Sequence, residues 1–519
     1  METAHSLFQR PMYQSTTSGQ WFPFISDAIG KEQSLNWNPA GILATLSYGY
    51  PFGNTTLFRE IQRQPWLSEL DANGDSQEMP IPPHGLLGGS AKAIGKRLME
   101  LMCAEAEKAC RNRKQVYILL SGGLDSRVVA GVVHHLVKTG KITSEIKAVT
   151  WGVENCRDVF YGKCVAERLG FSWFHAELSQ SQYFRNIDLC ASSLGASVSP
   201  AHLHRMNWFE GVDKDSLVLA GSLGNMIGRG QITSRSMLEV LPLRPFNYMK
   251  LMNQEAAVEG LVGCDAEIQS LRSRAGKGLE NYVYHEQEQA AHFSRGMLCQ
   301  TMSIINQYCD VYQMLSSKDI YSFMWSRHPA VRTDQVYTEV LELVGNEIAA
   351  VPWTRTNKAV KGTFDAPSVK LKKDHNEYRN WTHNYLNSNS FDRDDFLNRI
   401  SKTHLFNMSI LEQAIVNYES DSEAYSVEAN QFPWLVGWLI SMDKMIKDMP
   451  DRIMPWTSSN SIVTIDERSI QAPRARSIRR FFANNAWLRN KVAQFRRSKA
   501  TSDFLKKHPV QPDPNLSEK

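Results

Sequence analysis

The chain has 519 residues, of which 42% are hydrophobic and 22% charged. That is room for roughly two to four domains with sizeable cores, in a composition ordinary for a globular protein. The net charge of +4 is small for this length and does not argue for nucleic-acid or membrane binding by the whole chain. None of the eight cysteines forms a Cys-x-x-Cys pair, which argues against a zinc site. The longest apolar stretch, Phe432 to Met442, has eleven residues, against the ~20 of a membrane-spanning helix. With no signal-peptide pattern at Met1 to Ser6, the expectation is a cytoplasmic protein with reduced thiols and no transmembrane segment.

Residues 1–89 form an amino-terminal region rich in Pro, Gly and aromatics. Gly41 to Leu46 suits short strands or a helix equally well, and Asp71-Ala72-Asn73-Gly74-Asp75 is a turn cluster. Pro80 to Pro83, followed by His84-Gly85, reads as a linker. From Ser90 the pattern sharpens. Ile94, Leu98, Leu101, Met102, Ala106 and Ala109 recur at helical spacing, and Gln115 to Leu120 suits a buried strand. A helix through Val128, Val132 and Leu136 follows, stopped near Gly140. The cycle repeats with strands expected at Ile146 to Trp151, Phe171 to His175 and Ser216 to Ala220, and a helix from Val159 to Leu169 closed by Gly170. Alternating strands and helices imply an α/β fold with a doubly wound parallel sheet over 90–235. Residues 236–460 read as mainly helical, notably 251–284, 286–308 and 335–349, and 461–519 as a basic tail.

Ser121-Gly122-Gly123-Leu124-Asp125-Ser126 falls between the first of these strands and its helix. Ligands of open α/β sheets bind beyond the carboxyl ends of the strands. Two glycines permit a tight turn, and their N–H groups with the helix N-terminus form an anion cradle, to which Ser121 and Ser126 add hydroxyls. Asp125 would repel phosphate directly, but suits a Mg²⁺ ion shared with phosphate oxygens. No Gly-x4-Gly-Lys-Ser/Thr occurs, so this is not a Walker-type loop. A plain Gly-Gly turn with Asp125 as a helix cap is the alternative.

These residues resemble the asparagine synthetase-like enzymes of the ATP pyrophosphatase (PP-loop) superfamily. Ala148-Val149-Thr150-Trp151-Gly152 with Asp158, and Val165 to Gly170, are similar to that family's second strand and helix. Leu219-Ala220-Gly221-Ser222-Leu223-Gly224-Asn225 resembles its second glycine loop, and Phe58-Arg59-Glu60-Ile61 the end of its amino-terminal domain. The resemblance implies an adenine nucleotide α-hydrolase-type fold and an AMP-forming carbon–nitrogen ligase using ATP and Mg²⁺. A carboxylate attacks the α-phosphate, pyrophosphate leaves, and an amine or ammonia displaces AMP to give an amide, as in asparagine biosynthesis. Ser121 to Ser126 would hold pyrophosphate, Asp125 and Asn225 the metal, and the backbone at Val149 and Gly221 would flank adenosine. Arg355, Lys358 and Lys361 lie where the family places its transition-state lysine; a solvated basic loop is the alternative.

The sequence also departs from the family. Glu2 stands where the glutaminase half has its cysteine, and 1–89 resembles at most a truncated remnant of that half, so nitrogen is expected from free ammonia, an amine or a separate amidotransferase. Asn225 stands where an acidic second metal ligand is usual, which should weaken metal binding, and Ser222 stands where asparagine synthetase carries a Glu, which counts against asparagine itself as the product and for a catalytically degenerate member. The substrate carboxylate could be a small molecule, a peptide or a glycan. Two further readings are a catalytically degenerate nucleotide-binding partner and a PP-loop tRNA-modifying enzyme. The second draws on eleven Lys or Arg between Arg474 and Lys507, interleaved with Phe481, Phe482, Trp487 and Phe495. His202 and His204 read as loop residues near the sheet edge, His134-His135 as structural, and Arg332 with Asp334 as a surface pair.

Overall fold

The computed structural model describes residues 5–227, 243–365, 367–420, 432–458 and 502–516. The stretch from Gly41 to Leu46 is helical: α2 (Pro39–Tyr48) starts at Asn38, whose side chain accepts from Ala40 N, and ends at Gly49 with φ 90°. Helix α1 (Ile25–Lys31) precedes it. Around them lie six short strands: β1 (Tyr13–Ser15), β2 (Trp21–Phe22), β3 (Leu35–Asn36), β4 (Ile61–Arg63), β5 (Ser68–Leu70) and β6 (Ser76–Glu78). An antiparallel sheet is ordered β2-β1-β4, and β5 pairs β6. This region shares its core with downstream helices. Gly260 and Gly263, on the helix Gln254–Ala275, let it approach Pro39 and Ala40 so closely that a Cβ at Gly260 would sit 2.6 Å from the Pro39 carbonyl oxygen.

Helix α3 (Ala91–Cys110), capped by Ser90 on Ala93 N, leads into β7 (Gln115–Leu119). Then come α4 (Leu124–Lys138), β8 (Glu145–Gly152), α5 (Arg157–Leu169), β9 (Ser172–Glu177), α6 (Gln180–Leu194), β10 (Leu217–Ala220) and the single turn α7 (Gly224–Ile227). Gly170 ends α5 and Gly195 ends α6, both left-handed. The fifth strand, β11 (Asp310–Gln313), comes from the otherwise helical stretch. The sheet order is β11-β10-β7-β8-β9, parallel throughout. Every residue of β10 is buried, as expected of a strand covered on both faces. On one face Tyr117 meets Trp208 and Phe209 edge-on.

The chain leaves β7 toward β8 and β9, then returns to the other side of β7 for β10. The strand order therefore reverses between β7 and β10, and the crevice at that switch point is where ligands of such sheets bind. Farther on, β12 (Pro352–Trp353) and β13 (Lys358–Ala359) make a hairpin, and β14 (Ile453–Met454) returns to pair with β3. Among the described residues no helix is long and apolar enough to cross a membrane.

Two local expectations change. Arg332 makes no surface pair: it is 1% exposed and grips the buried Glu286 through both terminal nitrogens at 3.0 Å, while His84 Nε2 lies 2.8 Å from the same carboxylate. The segment after Pro80 to Pro83 is thereby anchored to the core, because a buried carboxylate is stable only when paired. Most of the basic tail lies outside the described residues; 502–507 is helical.

Candidate active site

The switch-point crevice is built by three backbone segments. The first is the turn after β7. Ser121 N donates to Ser126 Oγ at 3.0 Å, Gly123 N to Ser121 Oγ at 3.1 Å, and Gly122 N to Asp158 Oδ1 at 3.1 Å. Gly123 is the N-cap of α4, with no side chain capping the first turn, so that end of the helix keeps backbone donors for an anion. Leu124 is buried in the core, and Asp125 is no helix cap but lies in the first turn at an intermediate depth.

The second segment is the turn after β10. A Cβ on Gly221 would fall 2.9 Å from Asp125 C and Ser126 N, and one on Gly224 would fall 2.0 Å from Asp125 Oδ1. Glycine at both places lets this turn lie directly on the first. Between them Leu223 is held at φ 74°, a left-handed conformation costly for a bulky side chain. Ser222 N is fixed by Gln313 Oε1, at the end of β11, at 3.0 Å.

The third is the β12–β13 hairpin. Thr354 N donates to Gly122 O at 3.1 Å, and Thr354 Oγ1 to Asp158 Oδ1 at 3.2 Å. Arg127 is fully buried and donates to four carbonyls: Ile348 at 3.1 Å, Val351 at 2.6 Å, Gly122 at 3.1 Å and Pro352 at 3.0 Å. It ties the glycine turn to the hairpin root. Burial, with a smaller push from Arg168, lowers its pKa to about 10, so it remains charged near neutrality. Tyr161 OH donates to Asn357 Oδ1 at 2.7 Å, holding the hairpin tip to α5.

The sequence-derived candidates distribute unevenly over this frame. Ser121, Gly122, Gly123, Leu124, Asp125, Ser126 and Gly221 come together within it. Asn225 lies in α7, one residue past the glycine that abuts Asp125, and its side chain is outside the described residues. Val149 sits in the interior of β8, 1% exposed, and its carbonyl accepts from Leu120 N at 2.9 Å. Strand β8 continues past it, so Trp151 to Val153 form the carboxyl lip. There His204 stacks on Trp151, with Nδ1 2.8 Å from Tyr378 OH, and burial holds its imidazole neutral. His202 stands edge-on to Trp434, its pKa lowered by burial to about 4. On the hairpin, Arg355 lies over the Trp353 ring at 5.5 Å and Lys358 is exposed. Lys361 faces the helix Asp334–Val344, where its Nζ is 2.7 Å from Glu342.

Sequence reasoning missed Arg127 and Thr354. The signal for Arg127 was a charge immediately after the six-residue string, on a helix otherwise apolar at Val128 and Val129. Thr354 carried none, since its role depends on a contact across 232 positions with Gly122.

These residues suit an anion with a metal, although Asp158 now takes the Gly122 N–H that an oxyanion would use. Asp125 is placed between two glycine turns and could share a cation with phosphate oxygens and water. No group of three His, Cys, Asp or Glu suited to a metal occurs among the described residues.

Residues 98–205 match the asparagine synthase family model. The match is consistent with an asparagine synthetase-like family member, from a family of ATP-dependent amide-forming ligases. It spans β7, the first glycine turn, α4, β8, α5, β9 and α6, and ends before the second glycine turn and the hairpin, which the fold adds to the matched region. No curated protein matches the chain.

Proposed function

We propose that this protein is an AMP-forming ligase that adenylates a carboxylate with Mg-ATP and passes the acyl group to an amine or ammonia. The observation that carries the reading is the convergence of the Ser121 to Ser126 turn, the Gly221 to Gly224 turn and the hairpin root on one switch-point crevice. Backbone N–H groups at the N-terminus of α4 would take the pyrophosphate oxygens, with Ser121 and Ser126 hydroxyls beside them. Bound Mg²⁺ supplies charge neutralisation on the leaving pyrophosphate. Asp125 would hold it, with Asn225 adjacent in sequence to Gly224. An incoming phosphate would displace the Asp158 carboxylate from Gly122 N. Arg355 and Lys358 are solvent-facing on a hairpin pinned to the glycine turn, so either could swing to the α-phosphate; Lys361, held by Glu342, is the weaker candidate.

The acceptor lip is walled by Trp151, His204 and Tyr378, neutral groups suited to a substrate larger or less charged than a bare amino acid. The test is AMP and pyrophosphate release from Mg-ATP across a panel of carboxylates, with ammonia or amines. Asp125→Ala should abolish AMP formation while the protein stays folded; retained AMP formation refutes the site. ATP binding without AMP under every condition would favour a nucleotide-binding partner, a reading supported by Asn225 in place of an acid.

A further inference from the structure

A second constellation lies away from the crevice, where the β2-β1-β4 sheet packs on the π-helical segment Gln289–Cys299. Tyr13 and Arg63 are direct cross-strand neighbours on β1 and β4. Opposite them stand His292, Arg295 and Gln300. Arg63, Arg295, His292 and Gln300 are all 0–1% exposed.

Their hydrogen bonds are incomplete in one direction only. Arg63 gives Nη1 to Gly53 O at 3.4 Å, and Arg295 gives Nη2 to Gln64 O. His292 Nδ1 accepts from Gly53 N at 2.9 Å, which leaves the proton on Nε2. Gln300 Oε1 accepts from Tyr13 OH, which identifies its other atom as the amide nitrogen. Arg63 Nε and Nη2, Arg295 Nε and Nη1, His292 Nε2 and Gln300 Nε2 have no partner among the described residues. All six are buried donors.

The charge is unbalanced as well. Two guanidiniums face one nearby carboxylate, Glu267, which is already engaged by Asn54 N at 2.9 Å. Burial, and then repulsion from Arg63, lowers the Arg295 pKa to about 9. A buried cation without its counter-charge costs several kcal/mol, and each unmet buried donor adds to that. The neighbouring Cys299 directs its Sγ at the Gln9 carbonyl at 3.7 Å.

We infer that this cluster is a binding site for one small monovalent anion, held by Arg63, Arg295, His292 and Gln300 between the amino-terminal sheet and the helix that leads to β11. One negative charge balances two guanidiniums against Glu267, and the complete burial of the four side chains calls for a small ion such as a halide or formate. The site is separate from the glycine turns and does not depend on the ligase reading.

The test uses the full-length protein exchanged into sodium gluconate, an anion too large to enter. Replacing gluconate with chloride, bromide or formate at constant ionic strength should raise the melting temperature by at least about 2 °C, saturably. Arg295→Met should lose that anion-specific rise while keeping its response to Mg-ATP. Should that variant fail to fold, bromide-soaked crystals of the unaltered protein decide: an anomalous peak between Arg63 and Arg295 supports the site. A saturable rise with halides but not formate narrows the ligand to a halide. Equal melting in all four salts, or water alone between the two arginines, overturns the inference.

Discussion

Gly224→Ala gives the sharpest test of the crevice. The added methyl would lie 2.0 Å from Asp125 Oδ1 and 2.9 Å from Tyr337 OH, whereas real contacts of this kind begin near 3.0 Å. The carboxylate must therefore withdraw by about 1 Å. The backbone at Gly224 does not need a left-handed conformation, so the methyl adds steric conflict without dihedral strain. Overpacking of this size costs about 1–3 kcal/mol of stability, which should leave the fold intact. If Asp125 positions metal and phosphate as proposed, a displacement of about 1 Å costs on the order of 100-fold in rate. The assay is AMP release at saturating ATP with Mg²⁺ titrated, beside urea unfolding of the same preparations. If the methyl acts by moving Asp125, Gly224→Ala should also need more Mg²⁺ for half-maximal AMP release. Wild-type AMP formation and Mg²⁺ dependence in Gly224→Ala would refute the placement of Asp125 between the two turns.

Arg127→Met removes four charge-assisted bonds to buried carbonyls and should cost about 3–5 kcal/mol, read as a lower urea midpoint. A cost below about 1 kcal/mol would mean that the hairpin root is held by other contacts. Acid should destabilise the protein in two stages. The His202 imidazole is depressed to about 4 in the fold, so its neutral form contributes stability that is present above the unfolded value near 6.5. That contribution is lost as pH falls from there toward 4, by about 1–3 kcal/mol given its partial exposure. Glu286, held down to about 2 by Arg332 and His84 against the opposing effect of burial, adds a further loss below pH 4.5. Unfolding free energy measured from pH 7 to pH 3 should fall throughout that window, and a His202→Phe variant should flatten its upper part.

Much of the switch-point crevice was legible because its determinants are local. The apolar run before Ser121, the paired glycines and the helical spacing after Ser126 set β7, the turn and α4, each within a few residues. Gly170 and the strands at β8, β9 and β10 were readable for the same reason, since side-chain periodicity and left-handed caps are properties of short segments. Gly41 to Leu46 was undecidable locally, and burial on every side against the helix Gln254–Ala275 settled it as a helix. Four-residue β11 carries too little periodicity to announce itself inside a helical stretch; its pairing with β10 makes it a strand. The same holds for Thr354, for Arg332 and for the grip of Arg127 on the hairpin root, whose partners lie tens to hundreds of positions away. Patterns of polarity thus determined which segments fold and where a phosphate turn could lie. Which distant backbone closes over that turn, and which charges end up buried, was decided only by packing, because a buried charge takes its partner from whatever the fold brings to it.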